Sequence, residues 1–293
     1  MERIANTLST HVRLKYIAYA ILALKVLLIG VLAYRIFFSI HTFQWGIDNL
    51  FIYYVGVGFL AQLVDGALGM AYGATCTSML LGVGVPPAYA TASVHTAEVF
   101  TTGVSGLSHL YFGNIDKKLF FRIVITGVVG AMIGAYLISE VIDGKVIRPY
   151  ISLYLVGLGI VIIVKAFKKR PATPTNKNLG LLGLIGGFFD SIGGGGWGPL
   201  VTSNLINKGN APKETIGTVN TAEFFVAFFS TGIFMLFIDI QAWQPIAGLI
   251  LGGVLAAPLG AFLVKLFPAK TIMLIVGVLV SGLSIYNILK IWF

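Results

Sequence analysis

Four acids stand inside stretches that are otherwise apolar: Asp65, Glu98, Asp190 and Glu223. A carboxyl group is costly to bury in such surroundings, so each is expected either to accept local hydrogen bonds or to handle protons or ions. Asp65 and Asp190 directly precede the glycine turns Asp65-Gly66-Ala67-Leu68-Gly69 and Asp190-Ser191-Ile192-Gly193-Gly194-Gly195-Gly196. There a carboxylate can cap the first amides of a following half-helix or exchange a proton. Glu98 and Glu223 lie about ten residues into their apolar runs, a depth near mid-bilayer. Around Glu98, the residues Thr91, His95, Thr102, Ser105 and His109 recur at three- and four-residue steps and so share one helical face, turned to protein or water. The equivalent stripe around Glu223 is shorter, keeping Asn220 and Ser230 but holding Ile216 where the first has Thr91.

The glycines suggest what the acids surround. Glycine costs a helix about 1 kcal/mol relative to alanine, so four in succession favour an unwound turn between two half-helices. Half-helix N-termini carry unsatisfied amides and partial positive charge, which suits a small oxyanion. Gly66, Gly69, Gly193, Gly194, Gly195 and Gly196 are therefore the candidate backbone contacts; the alternative is that they only allow close helix packing. The hydroxyls of Thr77, Ser78, Thr202 and Ser203, with Asn204 beside them, can donate to such an anion or bond back to their own helix carbonyls. His95, whose repeat mate is Asn220, can attract an anion as a cation or pair with Glu98, and Cys76 lies a few residues beyond the first turn. Asp65, Glu98, Asp190 and Glu223 are the proton-coupling candidates, since ionised acids at the site would repel an anion.

Other chemistries find no support. His11, His41, His95 and His109 form no His-x-x-x-His pair and Cys76 is the single cysteine, so no metal site is expected. Gly193 to Gly198 lacks the Gly-Lys-Ser/Thr ending of a phosphate loop, and no catalytic triad or His-Glu-x-x-His motif occurs. Neither enzymatic activity nor a cofactor is expected.

The elements that must position these residues are membrane helices. The chain is 57% hydrophobic and 11% charged, with mean hydropathy +0.91, where soluble domains carry about a quarter charged residues. Its net charge of +9 is gathered between apolar runs rather than in a patch with aromatics, which argues against nucleic acid. Nine runs cover roughly residues 14–40, 51–84, 88–112, 118–140, 148–168, 178–207, 213–238, 243–265 and 270–292. No small-residue cleavage site follows Arg3, Arg13 and Lys15, so the first run is read as a retained helix.

Displacing the chain against itself by 125 positions pairs Asp65 with Asp190, Gly69 with Gly194, Thr77 with Thr202, Pro87 with Pro212 and Glu98 with Glu223. Twelve identities fall in the 34 positions from 65 to 98, which apolar composition alone would not align. If all nine runs cross, the basic residues divide evenly between the two sides. If the two glycine-broken runs turn back as hairpins, fifteen fall inside and four outside, with mid-helix Lys25 uncounted, as the positive-inside rule requires. The expected fold is thus an all-α integral membrane protein of about seven spanning helices plus two re-entrant glycine-broken hairpins. Three crossings per repeat invert the second copy, and both turns meet near the midplane. The divisions are 1–50, an N-terminal helix and loop; 51–168, the first repeat; 169–178, a cytoplasmic linker; and 179–293, the second repeat.

The stretch Gly186-Gly187-Phe188-Phe189-Asp190-Ser191-Ile192-Gly193-Gly194-Gly195-Gly196-Trp197-Gly198, with Gly217-Thr218-Val219-Asn220-Thr221-Ala222-Glu223, resembles the TauE/SafE (TSUP) family of sulfite exporters. The resemblance covers residues 51–293. It departs in the first half, where Asp65-Gly66-Ala67-Leu68-Gly69-Met70-Ala71-Tyr72-Gly73 replaces the multiple-glycine turn, and in the extra segment 14–40. It implies a secondary transporter of sulfite, thiosulfate or a sulfonate, proton-coupled, in the plasma (inner) membrane of a prokaryotic cell. The expected partners are the small anion and the lipid bilayer, with a homo-oligomer left open. An anion channel of the same fold and a cation carrier using the buried acids are the alternatives.

Overall fold

The computed structural model describes residues 12–38, 47–167, 177–238, 243–266 and 268–292, and among these it consists of helices joined by turns, without strands. Residues 168–176, most of the expected linker, lie outside the described residues, as do 1–11. The fold is an all-α integral membrane fold.

Helix α1 (Leu14–Phe38) is followed by two sets of five elements in the same order. The first set is α2 (Phe51–Leu68), α3 (Tyr72–Gly82), α4 (Pro87–Tyr111), α5 (Lys117–Tyr136, prolonged by a π-helical turn at Leu137–Val141) and α6 (Gly144–Ala166). The second is α7 (Leu179–Gly193), a π-helical turn (Trp197–Thr202) running into α8 (Ser203–Asn207), then α9 (Pro212–Phe237), α10 (Trp243–Leu266) and α11 (Ala269–Trp292). Every element of the second set thus lies about 125 positions beyond its mate.

Local chemistry sets the boundaries. Pro87 and Pro212 open α4 and α9 from the first turn, where a missing N–H costs nothing. Asp116 caps α5 by accepting from the amides of Lys118 at 2.9 Å and Leu119 at 3.0 Å, and Asp143 caps α6 through Lys145 at 2.7 Å. The return limb of the second hairpin opens as a π-turn around Pro199, which has no amide to continue an α-helical ladder; its mate Ala74 sits in regular helix.

Among the described residues, five helices are long and apolar enough to cross a membrane: Leu14–Arg35, Lys117–Val141, Gly144–Ala166, Pro212–Phe237 and Lys270–Ile291. α4 is equally long, at 25 residues, and is made less apolar by its polar stripe.

The hairpins are decided by contacts between their limbs. Tyr53, at the start of α2, donates its hydroxyl to the Met79 carbonyl, near the end of α3, at 3.1 Å, so the chain turns back to the end where it entered. At this same end Arg148 reaches the Leu81 carbonyl, Lys290 the Gly82 carbonyl and Arg35 the Met235 carbonyl. In the second hairpin Trp197 lies beside Asp190 and Val201 beside Gly186, so its limbs are also antiparallel. It opens toward the opposite end, where Lys117 bonds the Val12 carbonyl and Lys270 lies over Phe167. The hairpins enter from opposite ends, as an inverted repeat demands.

Packing repeats this symmetry. α4 lies against its own mate α9 and α6 against its mate α11, while α2 packs on α10 and α7 on α5. The last two contacts bring backbones together, with Gly58 against Leu249 and its mate Gly183 against Ile123, as small residues do between membrane helices.

Candidate functional site

The hairpin tips meet in the middle of the fold. α2 ends at Gly69 (φ 64°), whose amide returns to the Asp65 carbonyl at 2.6 Å, and α7 ends at Gly194 (φ 63°), whose amide returns to the Asp190 carbonyl. These left-handed residues are glycine in both copies because a side chain there is strained. Asp190 then caps its return limb, its Oδ1 accepting from the Trp197 amide at 2.9 Å, while the Asp65 carboxyl lies by the amide of Tyr72, the repeat mate of Trp197.

The turns touch one another directly. Thr77 donates to the Gly194 carbonyl at 2.6 Å across the repeats, and Tyr154, from α6, donates to the Gly195 carbonyl at 2.9 Å. A methyl group on Gly195 would meet the backbone of Gly73 and Ala74, and one on Gly198 would meet that of Met70 and Ala71. The amides of Gly194 and Gly195, expected to face a cavity, are instead held by the Asp190 carbonyl. The left-handed turn folds them back onto the last turn of α7. Gly193 lies against the Tyr154 ring, and Gly196 against the Tyr154 hydroxyl and Asp190. The surroundings of Gly66 lie outside the described residues.

Around the tips the four acids form one buried group. Glu98 is within electrostatic reach of Asp190, Glu223 and Asp65, and Glu223 within reach of Asp65 and Asp190. His95, fully buried on α4, joins them. Its Nδ1 lies 2.9 Å from the Thr91 carbonyl, which can only accept, so Nδ1 carries a proton. Its Nε2 lies 3.2 Å from Asp190 Oδ2, and that contact needs a further proton on one partner or the other. Glu98 Oε2 has no partner among the described residues, although Glu98 is 2% exposed.

The remaining candidates separate into two groups. Thr202 and Asn220 are buried; among the described residues Thr202 Oγ1 and Asn220 Oδ1 lack partners, while Asn220 Nδ2 donates to Ser105 at 3.1 Å. Cys76 is fully buried beside the Tyr72 side chain. Ser78 and Ser203 are committed elsewhere. Ser78 donates back to Ala74 at 2.7 Å and meets Ser284 at 3.2 Å; Ser203 bonds back to Pro199 and accepts from Lys165 at 2.6 Å.

Sequence reasoning did not single out Tyr154 or the pair Tyr72 and Trp197. The aromatic pair was visible in the 125-residue register, both being buried at the start of a return limb. Tyr154 has leucine as its repeat mate and leaves no such trace.

The family model described as sulfite exporter TauE/SafE matches residues 54–287, most of the chain and both hairpins. The chain belongs to the TauE/SafE family. This TauE/SafE chain is 44% identical, over 245 residues covering 80% of each chain, to the "Probable membrane transporter protein YtnM" of Bacillus subtilis (strain 168). No solved structure matches it. The protein is a multi-pass membrane transporter.

Proposed function

We propose that this transporter carries a small sulfur-containing anion (sulfite, thiosulfate or a sulfonate) across the plasma membrane as a proton-coupled secondary carrier, with no covalent chemistry on the solute. The observation that carries the reading is the meeting of two glycine-turned hairpins, tip to tip, inside a group of four buried acids. The start of each return limb is the positive end of a helix dipole and favours an anion. The buried acids oppose it unless protons enter with it, which couples the two fluxes. Thr77, Thr202, Asn220 and His95 supply side-chain donors, and Asp65, Glu98, Asp190 and Glu223 the proton sites. Because the tips touch, the solute reaches them only when one hairpin withdraws, and opposite entry of the hairpins makes the two sides alternate. The lysine-rich end, with Lys117, Lys118, Lys177, Lys213 and Lys270, faces the cytoplasm by the positive-inside rule.

The test is flux into proteoliposomes carrying radiolabelled sulfite, thiosulfate or a sulfonate, with and without an imposed pH gradient. Saturable accumulation against the solute gradient, driven by the pH gradient and reduced in Glu98→Gln, is the expected result. Flux that neither saturates nor runs uphill would make the protein a channel. Uptake of cations, uncompeted by these anions, would replace the anion by a cation as the cargo.

A further inference from the structure

We infer that His95, Glu98 and Asp190 form a binding site for a divalent transition-metal ion, a ligand that goes beyond the transport reading and does not depend on it. One ligand atom from each of the three lies within 4.8 Å of the others, and all three residues are buried. The pair His95 Nε2 and Asp190 Oδ2, at 3.2 Å, already stands close to the roughly 3.4 Å that separates two ligands on a tetrahedral ion with bonds of about 2.1 Å. Glu98 follows His95 by one turn of α4, and its flexible side chain needs only a small swing to close the third contact.

Three details go beyond proximity. A metal-bound histidine characteristically donates its other ring N–H to a backbone carbonyl or carboxylate, and His95 does so to the Thr91 carbonyl at 2.9 Å, leaving Nε2 directed at Asp190. Ligating carboxylates are themselves held by hydrogen bonds, and the second oxygen of Asp190 is held by the Trp197 amide at 2.9 Å. Glu98 Oε2 is buried without a partner among the described residues, an arrangement that costs free energy until something positive meets it. Two carboxylates and a neutral imidazole around a dication sum to zero, which removes most of the penalty of placing charge in the middle of a membrane protein. The mixed imidazole and carboxylate set selects zinc-like ions over magnesium, and three protein ligands leave a coordination position open. Spacing along the chain could not show this site, because Asp190 comes from the other repeat.

Titrating Zn2+ into the purified full-length protein in detergent, by calorimetry in buffers of differing ionisation enthalpy, tests the site without a transport assay. The expected result is one ion per chain with release of about one proton or more, since the proton between His95 and Asp190 must leave. Mg2+ should bind far more weakly. His95→Asn and Glu98→Gln should each weaken Zn2+ by at least about tenfold, while exposed Glu140→Gln leaves it unchanged. Glu98→Gln preserves the side-chain shape, and melting temperatures confirm that each variant is folded. Absence of one-per-chain Zn2+ binding to the unaltered protein overturns the inference, as does binding that survives both ligand substitutions or that Mg2+ matches.

Discussion

Replacing Gly195 by alanine puts a methyl group into the contact between the two hairpin tips. The new carbon would stand 2.5 Å from the Gly73 carbonyl carbon and 2.6 Å from Ala74 Cα, and nearer still to the Ala74 amide nitrogen. Carbon atoms settle at about 3.5–4.0 Å, so the tips must part by roughly an ångström. The colliding atoms are backbone and cannot rotate aside. Overpacking of this kind costs about 1–3 kcal/mol, or roughly 2–12 °C in melting temperature for a chain approaching this size. Gly232, inside α9, provides the comparison, because none of the described residues lies within 4 Å of a methyl group there. Gly232→Ala should gain about 0.5–1 kcal/mol from the lower backbone entropy of the unfolded chain. Thermal unfolding of the purified variants in one detergent measures both. The direct contact of the tips would be refuted if Gly195→Ala melted at or above the temperature of the unaltered protein. Gly252→Ala, which collides with the Val55 carbonyl between α10 and α2, should also lower stability. It should spare the flux per folded molecule, whereas Gly195→Ala, acting where the solute is proposed to pass, should reduce it.

Thr77→Val should leave the buried Gly194 carbonyl without the hydroxyl that bonds it at 2.6 Å, lowering stability by about 1–3 kcal/mol in the same melting assay. Thr202→Val, where the hydroxyl has no partner, should cost less than 1 kcal/mol. In a Cys76→Ala background, cysteines at exposed Phe112 and Lys177 should both resist an impermeant thiol reagent in intact cells while one at exposed Lys145 reacts. Labelling of only one of the first pair would break the inverted arrangement.

Much of the architecture was legible because it is written in residue types that tolerate few substitutes. The 125-residue register of Asp65, Gly69 and Glu98 on Asp190, Gly194 and Glu223 foretold matched elements, and left-handed φ values of 64° and 63° at the two glycines give its physical reason. Basic residues other than Lys25, which sits mid-way along α1, lie toward helix ends because burying them is costly, so their distribution implied the turning back that the Tyr53 to Met79 bond displays. Capping was one of two roles open to the aspartates before the glycine turns, and Asp190 shows it toward the Trp197 amide.

What sequence could not supply is everything that depends on contact across the two repeats. Ser78 and Ser203 look like Thr77 and Thr202 in the register, yet the serines bond back along their own limbs while Thr77 crosses to Gly194. That choice depends on which face of the limb meets a neighbour, and composition does not encode it. The meeting of His95 with Asp190 joins residues 95 positions apart, from different copies of the repeat. Helical periodicity determines which residues share a face within one helix, because the rise and turn per residue are constants of the backbone. Which faces then close on each other is decided by packing of the whole bundle, and there alone do the acids, the histidine and the two tips become one site.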